Sequence, residues 1–250
     1  MFIHQHVHPD VVVIGAGGIG SNLLYNMFRD RIFYSRNISK VTIYDGDRVE
    51  TKNLVRQNFC PEDLGKNKAF ALASHYNNAL PIEAIASYFD PDKKEDSSEV
   101  DCFDLLSDND IIVGCVDNVQ TRVSILERLI DLKESGMTPP LYIDAGNETY
   151  HGNIFILGDT EALKDYHKVL LSKLEKDDAP YHASCADVQE KDEGFLQIYD
   201  INMMGSLYLN IILKAAMSNN IKETYSLIKG IQFGQYNSKP IQVKELLPHE

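Results

Sequence analysis

The sequence predicts an α/β fold whose sheet is mostly parallel and becomes mixed toward its C-terminal side. Three observations support this prediction. Short β-branched runs alternate with segments of helical apolar spacing through the first 133 residues. The run at residues 110–114 is almost wholly apolar, as expected of a strand at the centre of a parallel sheet. Residues 141–146 and 153–157 resemble two adjacent strands joined by a glycine-containing turn, where we expect the sheet to become mixed.

The first strands and helix form one repeating unit. A β-branched run at residues 10–14 ends in the loop Gly-Ala-Gly-Gly-Ile-Gly, and residues 21–31 follow with helical spacing. Residues 40–45 form a second β-branched run. A strand, a tight turn, a helix and a second strand make a parallel crossover, so the sequence predicts a Rossmann-like arrangement.

The remaining elements are predicted in order along the chain. Helices are expected at residues 66–76, 118–133, 163–174 and 196–217, and strands at residues 82–86, 224–228, 231–236 and 241–243. The charged segment 90–99 is predicted to be an exposed loop. We therefore expect a single domain with a nucleotide-binding core at residues 10–157, a mobile crossover segment at 158–195, and a C-terminal helix with a small β element at 196–250.

Composition excludes several classes of function. The net charge of -13 argues against binding of nucleic-acid phosphates as the main task. No apolar run is long enough to span a membrane, and the first ten residues do not resemble a signal peptide, so we expect a cytoplasmic protein with no membrane partner. The four cysteines contain no CxxC pair, and no structural zinc or disulfide framework is therefore expected.

The glycine loop predicts a phosphate-binding turn. Gly15, Gly17, Gly18 and Gly20 precede a helix, where free backbone N–H groups and the helix dipole favour an anion. Asp45 ends the second strand, where an acidic residue binds a ribose in dinucleotide-binding folds. On these two features alone, an oxidoreductase that uses NAD(P) or FAD remains the default interpretation.

The polar residues after Asp45 favour ATP instead. They are Asp47, Asn53, Arg56, Gln57 and Lys68. When a carboxylate attacks the α-phosphorus of ATP, two anions approach each other and the phosphate charge must be neutralised. Arginine offers a planar donor fork and lysine a mobile point charge, so Arg56 and Lys68 suit two different phosphate oxygens.

A carboxylate follows the central strand. Asp117 lies just past the run at residues 110–114, at the carboxyl edge of the predicted sheet, where folds of this class bind ligands. Carboxylate oxygens are ligands that Mg²⁺ prefers, and ATP would supply further ones. The sequence therefore predicts that Asp117 binds magnesium.

Four motifs together resemble a known family. They are Gly-x-Gly-Gly-x-Gly-Ser, Asp-x-Asp-x-Val-Glu-x-x-Asn-Leu-x-Arg-Gln, Gly-Lys-x-Lys-Ala and Val-Asp-Asn. They are similar to the adenylation core shared by ThiF, MoeB, HesA-type proteins and ubiquitin-activating enzymes, over roughly residues 10–157. The resemblance implies Mg-ATP-dependent adenylation of the C-terminal glycine carboxylate of a ubiquitin-like or sulfur-carrier protein, by a homodimer. The C-terminal part is similar, more loosely, to ThiF-like proteins of PRTRC gene systems.

The resemblance also implies roles for individual residues. The glycines form the phosphate turn, Asp45 binds the ribose hydroxyls, Asp117 binds magnesium, and the triphosphate is contacted by Asn53, Arg56, Gln57 and Lys68. Some family members supply an arginine finger from an N-terminal segment, but residues 1–9 contain no arginine, so Arg29, Arg31 and Arg36 are the substitutes nearest in sequence.

Cys185 falls where the family's crossover segment can hold a thioester or persulfide cysteine, and His182 is close enough in sequence to assist it. The alternative is an ordinary loop cysteine. A non-catalytic subunit that docks a ubiquitin-like partner is the remaining alternative for the whole chain.

Overall fold

The computed structural model describes residues 8–89, 106–147, 151–176, 194–218, 230–236, 239–240 and 244–245. The strands are β1 (Asp10–Ile14), β2 (Lys40–Tyr44), β3 (Ile82–Ile85), β4 (Ile111–Gly114), β5 (Leu141–Asn147), β6 (His151–Leu157), β7 (Gly230–Tyr236), β8 (Lys239–Pro240) and β9 (Lys244–Glu245). The helices are α1 (Gly18–Arg29), α2 (Arg31–Asn37), α3 (Lys68–Tyr76), α4 (Val119–Glu134), α5 (Thr160–Lys176) and α6 (Gly194–Ser218). Two 3₁₀ turns, Thr51–Asn53 and Pro61–Asp63, lie between β2 and α3.

These strands form one sheet in the order β3-β2-β1-β4-β5-β6-β7-β8, and β9 also pairs with β7. The five strands from β3 to β5 are parallel, whereas β6 and the strands beyond it are antiparallel. The predicted α/β class, with a sheet that begins parallel and becomes mixed, is confirmed. The carboxyl ends of β1, β2 and β4 therefore meet at one edge, which is where polar loops can converge.

Side chains alternate across the central strands and supply two cores. Val11 and Val13 of β1 face one core, which includes residues of α1, α3 and α6. Val12 and Ile14 face the other core, which includes residues of α4 and α5. Because helices cover both faces of β1 and β4, the buried residues of these two strands are apolar, as the run at residues 110–114 predicted, while β2 adds the buried Thr42.

Helix α2 is the main element that the sequence did not predict. The chain leaves α1 at Asp30, which has φ -95° and ψ 23°, and begins a second helix at the next residue. Asp30 also accepts a hydrogen bond of 2.8 Å from Asn210 and pairs with Lys214, both on α6. Contacts more than 170 residues apart in sequence thus fix this joint, and local spacing alone does not reveal them.

The C-terminal predictions are tested only in part. Helix α5 covers the first half of the predicted crossover segment, and residues 177–193 lie outside the described residues, as do the predicted strands at 224–228 and 241–243. Among the helices that the structure describes, none is long and apolar enough to cross a membrane.

Candidate functional site

The glycine loop forms a tight turn with one open face. Gly15 has φ +98°, and a Cβ there would lie 2.6 Å from the carbonyl oxygen of Cys115. A Cβ on Gly20 would lie 2.0 Å from the carbonyl oxygen of Gly15, so the first turn of α1 packs directly on the loop. A Cβ on Gly17 would meet no atom of the described residues within 4 Å. The open face at Gly17 lies at the N-terminus of α1, where an anion is favoured.

Asp45 joins the end of β2 to this loop. Its Oδ2 accepts a hydrogen bond of 2.7 Å from the N–H of Ala16, and its Oδ1 accepts one of 2.8 Å from the N–H of Asp47. Burial raises the pKa of the Asp45 carboxyl, while the nearby charge of Lys68 acts in the opposite direction. Each carboxylate oxygen can accept a second bond, so the group remains able to receive ribose hydroxyls.

Lys68 lies beside Asp45 and is held by Asp47. Its side chain is buried, with the residue only 7% exposed, and Nζ donates to Asp47 Oδ2 over 2.9 Å. Burial acts to raise the pKa of Asp47, but hydrogen bonds from Tyr88 and Lys68 outweigh it, and the pKa is lowered. Because an ammonium has three N–H donors, Lys68 can keep its hydrogen bond to Asp47 and still donate to a phosphate oxygen.

Tyr88 is a site residue that the sequence analysis missed. Its hydroxyl donates to Asp47 Oδ1 over 2.6 Å, and its ring lies against Gly46, where a Cβ would be 2.7 Å from the ring. The hydrogen bond to Asp47 raises the pKa of Tyr88 to about 12, and the charges of Asp45 and Asp117 add to the effect. Asp117 is exposed and lies just beyond β4. Because its charge contributes to the raised pKa of Tyr88, Asp117 lies near the Tyr88 hydroxyl.

Asn53, Arg56 and Gln57 occupy the turn that follows β2. Asn53 is buried, and its Oδ1 accepts a hydrogen bond of 2.8 Å from the N–H of Glu50, so this oxygen caps the local 3₁₀ turn. Arg56 is also buried. Gln57 Oε1 is buried without a hydrogen-bond partner within the part of the chain that the structure describes. A glutamine amide carries both a carbonyl acceptor and an NH₂ donor, so by rotation Gln57 offers either one to a ligand.

Asn202 on α6 connects the parts of the site. Its Nδ2 donates to the carbonyl oxygen of Arg56 over 3.2 Å, and its Oδ1 accepts from Asn147 Nδ2 over 2.9 Å. A Cβ on Gly18 would lie 2.4 Å from this amide, so Gly18 leaves the room that Asn202 occupies. Asn202 is one of three buried polar residues on α6, with Ser206 and Asn210, and polar side chains on the apolar face of a helix were the available signal in the sequence.

Arg122 fixes the loop that bears Asp117. Its Nη1 lies 2.7 Å from Asp144 Oδ2, and its Nη2 donates to the carbonyl oxygen of Val116 over 2.6 Å. The carboxylate of Asp144 is fully buried on β5. A buried ion pair with further hydrogen bonds therefore holds the residue immediately before Asp117.

Three predicted features are not part of this geometry. Cys185 and His182 lie outside the described residues, so a downstream thiol stays a prediction. Arg29, Arg31 and Arg36 lie at the opposite end of α1 from the glycine loop, or beyond it on α2. Within one chain, these arginines are therefore not near the phosphate turn.

The sequence matches the ThiF family over residues 6–245, which is nearly the whole chain. The chain belongs to the ThiF family. Similar relatives include the "NEDD8-activating enzyme E1 catalytic subunit" of Saccharomyces cerevisiae, 31% identical over 148 residues, which are 58% of this chain and 46% of the relative. The "ATP-dependent ubiquitin transferase-like protein Cap2" of Enterobacter hormaechei is 31% identical over 101 residues, which are 39% of this chain and 16% of that protein.

This ThiF-family chain spans less than half the length of those curated relatives. Among solved structures, E. coli MccB with ATP matches 95% of this chain and 63% of that chain, with a TM-score of 0.57 and 18% identity. PaaA matches 95% of this chain and 64% of that chain, with a TM-score of 0.57 and 16% identity. At these identities the structural likeness shows the shared fold alone.

Proposed function

We propose that this ThiF-family chain uses Mg-ATP to adenylate the C-terminal carboxylate of a ubiquitin-like or sulfur-carrier protein. The observation that carries the proposal is the convergence, at one sheet edge, of the open face at Gly17, the carboxylate of Asp45 and the buried ammonium of Lys68. The names of two relatives support a protein that uses ATP and acts on a partner. One is a NEDD8-activating subunit, and MccB has been solved with the ATP analogue AMPCPP and MccA.

The described residues fit ATP in three respects. The N-terminus of α1 has room for phosphates at Gly17, and Asp45 keeps acceptor capacity for ribose hydroxyls. The buried Gln57 Oε1 has no hydrogen-bond partner among the described residues, so a ligand can satisfy it. Lys68 and Arg56 supply two buried positive charges for the phosphates. In the proposed step, the partner's carboxylate oxygen bonds to the α-phosphorus, and the bond to pyrophosphate breaks.

Magnesium fits the acidic side of the same edge. Asp117 is exposed beyond β4, and the charges of Asp117 and Asp47 both act on the Tyr88 hydroxyl, so two carboxylates flank one region. In this proposal Asp117 holds the ion. When bound, Mg²⁺ would neutralise charge on the phosphate oxygens, while Arg122 keeps the Asp117 loop in place through the Val116 carbonyl.

A homodimer and a downstream thiol belong to the same proposal. Exposed apolar side chains at helical spacing on α6, those of Met204, Leu207 and Ile211, support a dimer surface, and sedimentation of the full chain measures it. The thiol of Cys185 would then attack the acyl-adenylate, so that a thioester forms, the acyl–phosphate bond breaks with release of AMP, and the thiol proton passes to solvent. Cys185→Ala should keep pyrophosphate exchange and lose any reducible conjugate, and a folded variant that loses exchange as well would remove the downstream role.

The test is ATP–pyrophosphate exchange with a small partner protein that ends in Gly-Gly. We expect exchange in the wild type and a loss of at least about 100-fold in Arg56→Ala and Lys68→Ala, because both charges stabilise the transition state. Lys164→Ala is the matched control, since this lysine on α5 pairs with Glu134 of α4, away from the glycine loop, and the variant should exchange normally. Tight NAD binding without ATP affinity would instead support an oxidoreductase, and partner binding without exchange would support a docking subunit.

A further inference from the structure

Three side chains with metal-ligand atoms converge between β2 and α3. Cys60 Sγ lies 3.1 Å from Asp63 Oδ2 and 3.9 Å from His75 Nε2, and His75 Nε2 lies 3.1 Å from Asp63 Oδ2. Cys60 caps the start of the 3₁₀ turn Pro61–Asp63, Asp63 ends it, and His75 is in the last turn of α3. The group is separate from the nucleotide edge, and neither the family resemblance nor the proposed reaction uses it.

The separations match those between ligands on one tetrahedral ion. With metal–sulfur bonds of about 2.3 Å and metal–nitrogen or metal–oxygen bonds of about 2.1 Å, tetrahedral ligand atoms lie roughly 3.4–3.6 Å apart. The observed separations are slightly shorter and slightly longer than these distances. Small rotations of the Cys60 and His75 side chains would therefore bring the three ligand atoms to the tetrahedral separations. Asp63 is fully buried, whereas His75 is partly exposed, which leaves an open side for the ion to enter.

We propose that Cys60, Asp63 and His75 bind a divalent transition-metal ion, with Zn²⁺ as the best match and water in the fourth position. Thiolate, imidazole and carboxylate are the three ligand types that zinc accepts together. The absence of CxxC pairs excluded only sites built on cysteine pairs. Here an aspartate takes the second position of a Cys-x-x-Asp spacing, and the histidine lies twelve residues further on.

A simple capping role explains only part of the geometry. Asp63 Oδ2 accepts a hydrogen bond of 3.1 Å from the N–H of Cys60, and Oδ1 pairs with Lys66 over 3.2 Å. Those contacts account for the burial of Asp63 but require neither a thiol nor an imidazole. The Lys66 side chain is half exposed and can move away from Oδ1 when the ion arrives.

The ion would restrain the segment that leads to Lys68. It would tie the turn at Cys60 and Asp63 to the end of α3, and Lys68 is the first residue of that helix. Binding releases the thiol proton of Cys60 to solvent and requires a neutral His75, so affinity should rise with pH.

In the experiment, the chain is first treated with a chelator to remove bound metal. It is then titrated with Co²⁺ alone. We expect one equivalent to bind with a sulfur-to-cobalt charge-transfer band and the visible bands of tetrahedral cobalt, and we expect Zn²⁺ to displace it. Cys60→Ser should lose the charge-transfer band, and His75→Gln should weaken Co²⁺ binding by at least about 10-fold. Both side chains are at least partly exposed, so both variants should fold.

Two matched variants control for other ligands of the same type. Cys185→Ser removes a thiol elsewhere in the sequence, and His167→Gln removes an imidazole on α5 that pairs with Glu127 over 3.3 Å. Both should bind Co²⁺ like the wild type. A wild type without the charge-transfer band, or a band that persists in Cys60→Ser, would overturn the proposal.

Discussion

The ammonium of Lys68 lies 2.9 Å from Asp47 Oδ2, and the other oxygen of that carboxylate accepts a hydrogen bond of 2.6 Å from Tyr88. Asp47 is half exposed, so the pair is held at the rim of the site, while the lysine side chain itself is buried. A buried lysine loses conformational freedom, and less entropy is then lost when it meets a phosphate. Tyr88 and Asp47 are thus positioning residues for Lys68.

Tyr88→Phe tests this positioning. The variant keeps the ring over Gly46 and removes only the hydroxyl that restrains Asp47. We expect the KM for ATP to rise about fivefold, which corresponds to one hydrogen bond of about 1 kcal/mol, with little change in kcat. Steady-state kinetics measures both constants. An unchanged KM would mean that Asp47 holds Lys68 without help from Tyr88.

Two glycine variants separate folding from ligand binding. In Gly20→Ala the new methyl would meet the carbonyl of Gly15, so we expect a stability loss of about 1–3 kcal/mol and a Tm lower by several degrees. In Gly17→Ala the methyl meets no atom of the described residues within 4 Å, so the Tm should fall less than in Gly20→Ala, by the small loss expected when the N-cap glycine of α1 becomes alanine, while ATP affinity should fall about 10-fold. Thermal melts and equilibrium binding distinguish the two. A Gly17→Ala protein with normal ATP affinity would place the phosphates elsewhere.

The raised pKa of the Asp45 carboxyl predicts that the contact between Asp45 and the ribose is sensitive to acid. Burial raises its pKa above the ordinary 3.8, so the folded protein holds this proton more tightly than the unfolded chain does. Its contribution to stability is therefore greatest below pH 3.8 and is lost as the pH rises through the raised pKa. Ribose hydroxyls favour the ionised form, so ribose recognition should weaken as the pH falls through the same window.

The measurement is the ratio of affinities for ATP and 2′,3′-dideoxy-ATP as the pH is lowered. Because both ligands have the same phosphates, the titration of the phosphates cancels. At neutral pH we expect a preference for ATP of about 10-fold, which is typical of a hydrogen bond to a charged group, and a decline that begins above pH 3.8. Asp45→Asn should show no such decline. A constant ratio in the wild type would contradict the role given to Asp45.

The buried pair of Arg122 and Asp144 predicts a large effect on stability. Arg122→Met leaves the Asp144 carboxylate buried without its counter-charge, with only the hydroxyls of Tyr142 and Tyr166 among the described residues still donating to it, and the loss of one partner of a buried ion pair typically costs about 3–5 kcal/mol. Urea unfolding measures the loss. Lys164→Met is the control, because it breaks an exposed pair with Glu134 and should cost no more than about 1 kcal/mol. Equal losses in the two variants would show that Arg122 is not the anchor of the Asp117 loop.

Local sequence patterns were sufficient to predict the parallel half of the sheet. The β-branched runs that became β1, β2 and β4 are short and apolar on both faces, because helices cover both sides of a parallel sheet. The same reasoning placed Asp45 at the end of the second strand and Asp117 just past the run at residues 110–114, and in the structure both follow the ends of strands. In this fold, chain order and strand ends alone determine where those two carboxylates lie.

The supporting residues were not predictable in the same way. Asn202 reaches Arg56 across 146 positions, and Arg122 reaches Asp144 between two different elements. Tyr88 looked like one more aromatic residue after a strand, and only the fold brings its hydroxyl to Asp47. Such contacts depend on how α4, α6 and the loops pack, and a pattern of spacing contains no information about partners in distant elements.

The most direct measurement of the central claim follows the label from ATP onto a partner. The full-length chain is incubated with Mg²⁺, a small protein that ends in Gly-Gly, and ATP labelled on either the α- or the γ-phosphate. We expect label from the α-phosphate alone to appear on the partner, with release of unlabelled partner on treatment with hydroxylamine, which cleaves acyl phosphates. Label from the γ-phosphate, or no label from either while NAD binds tightly, would contradict adenylation.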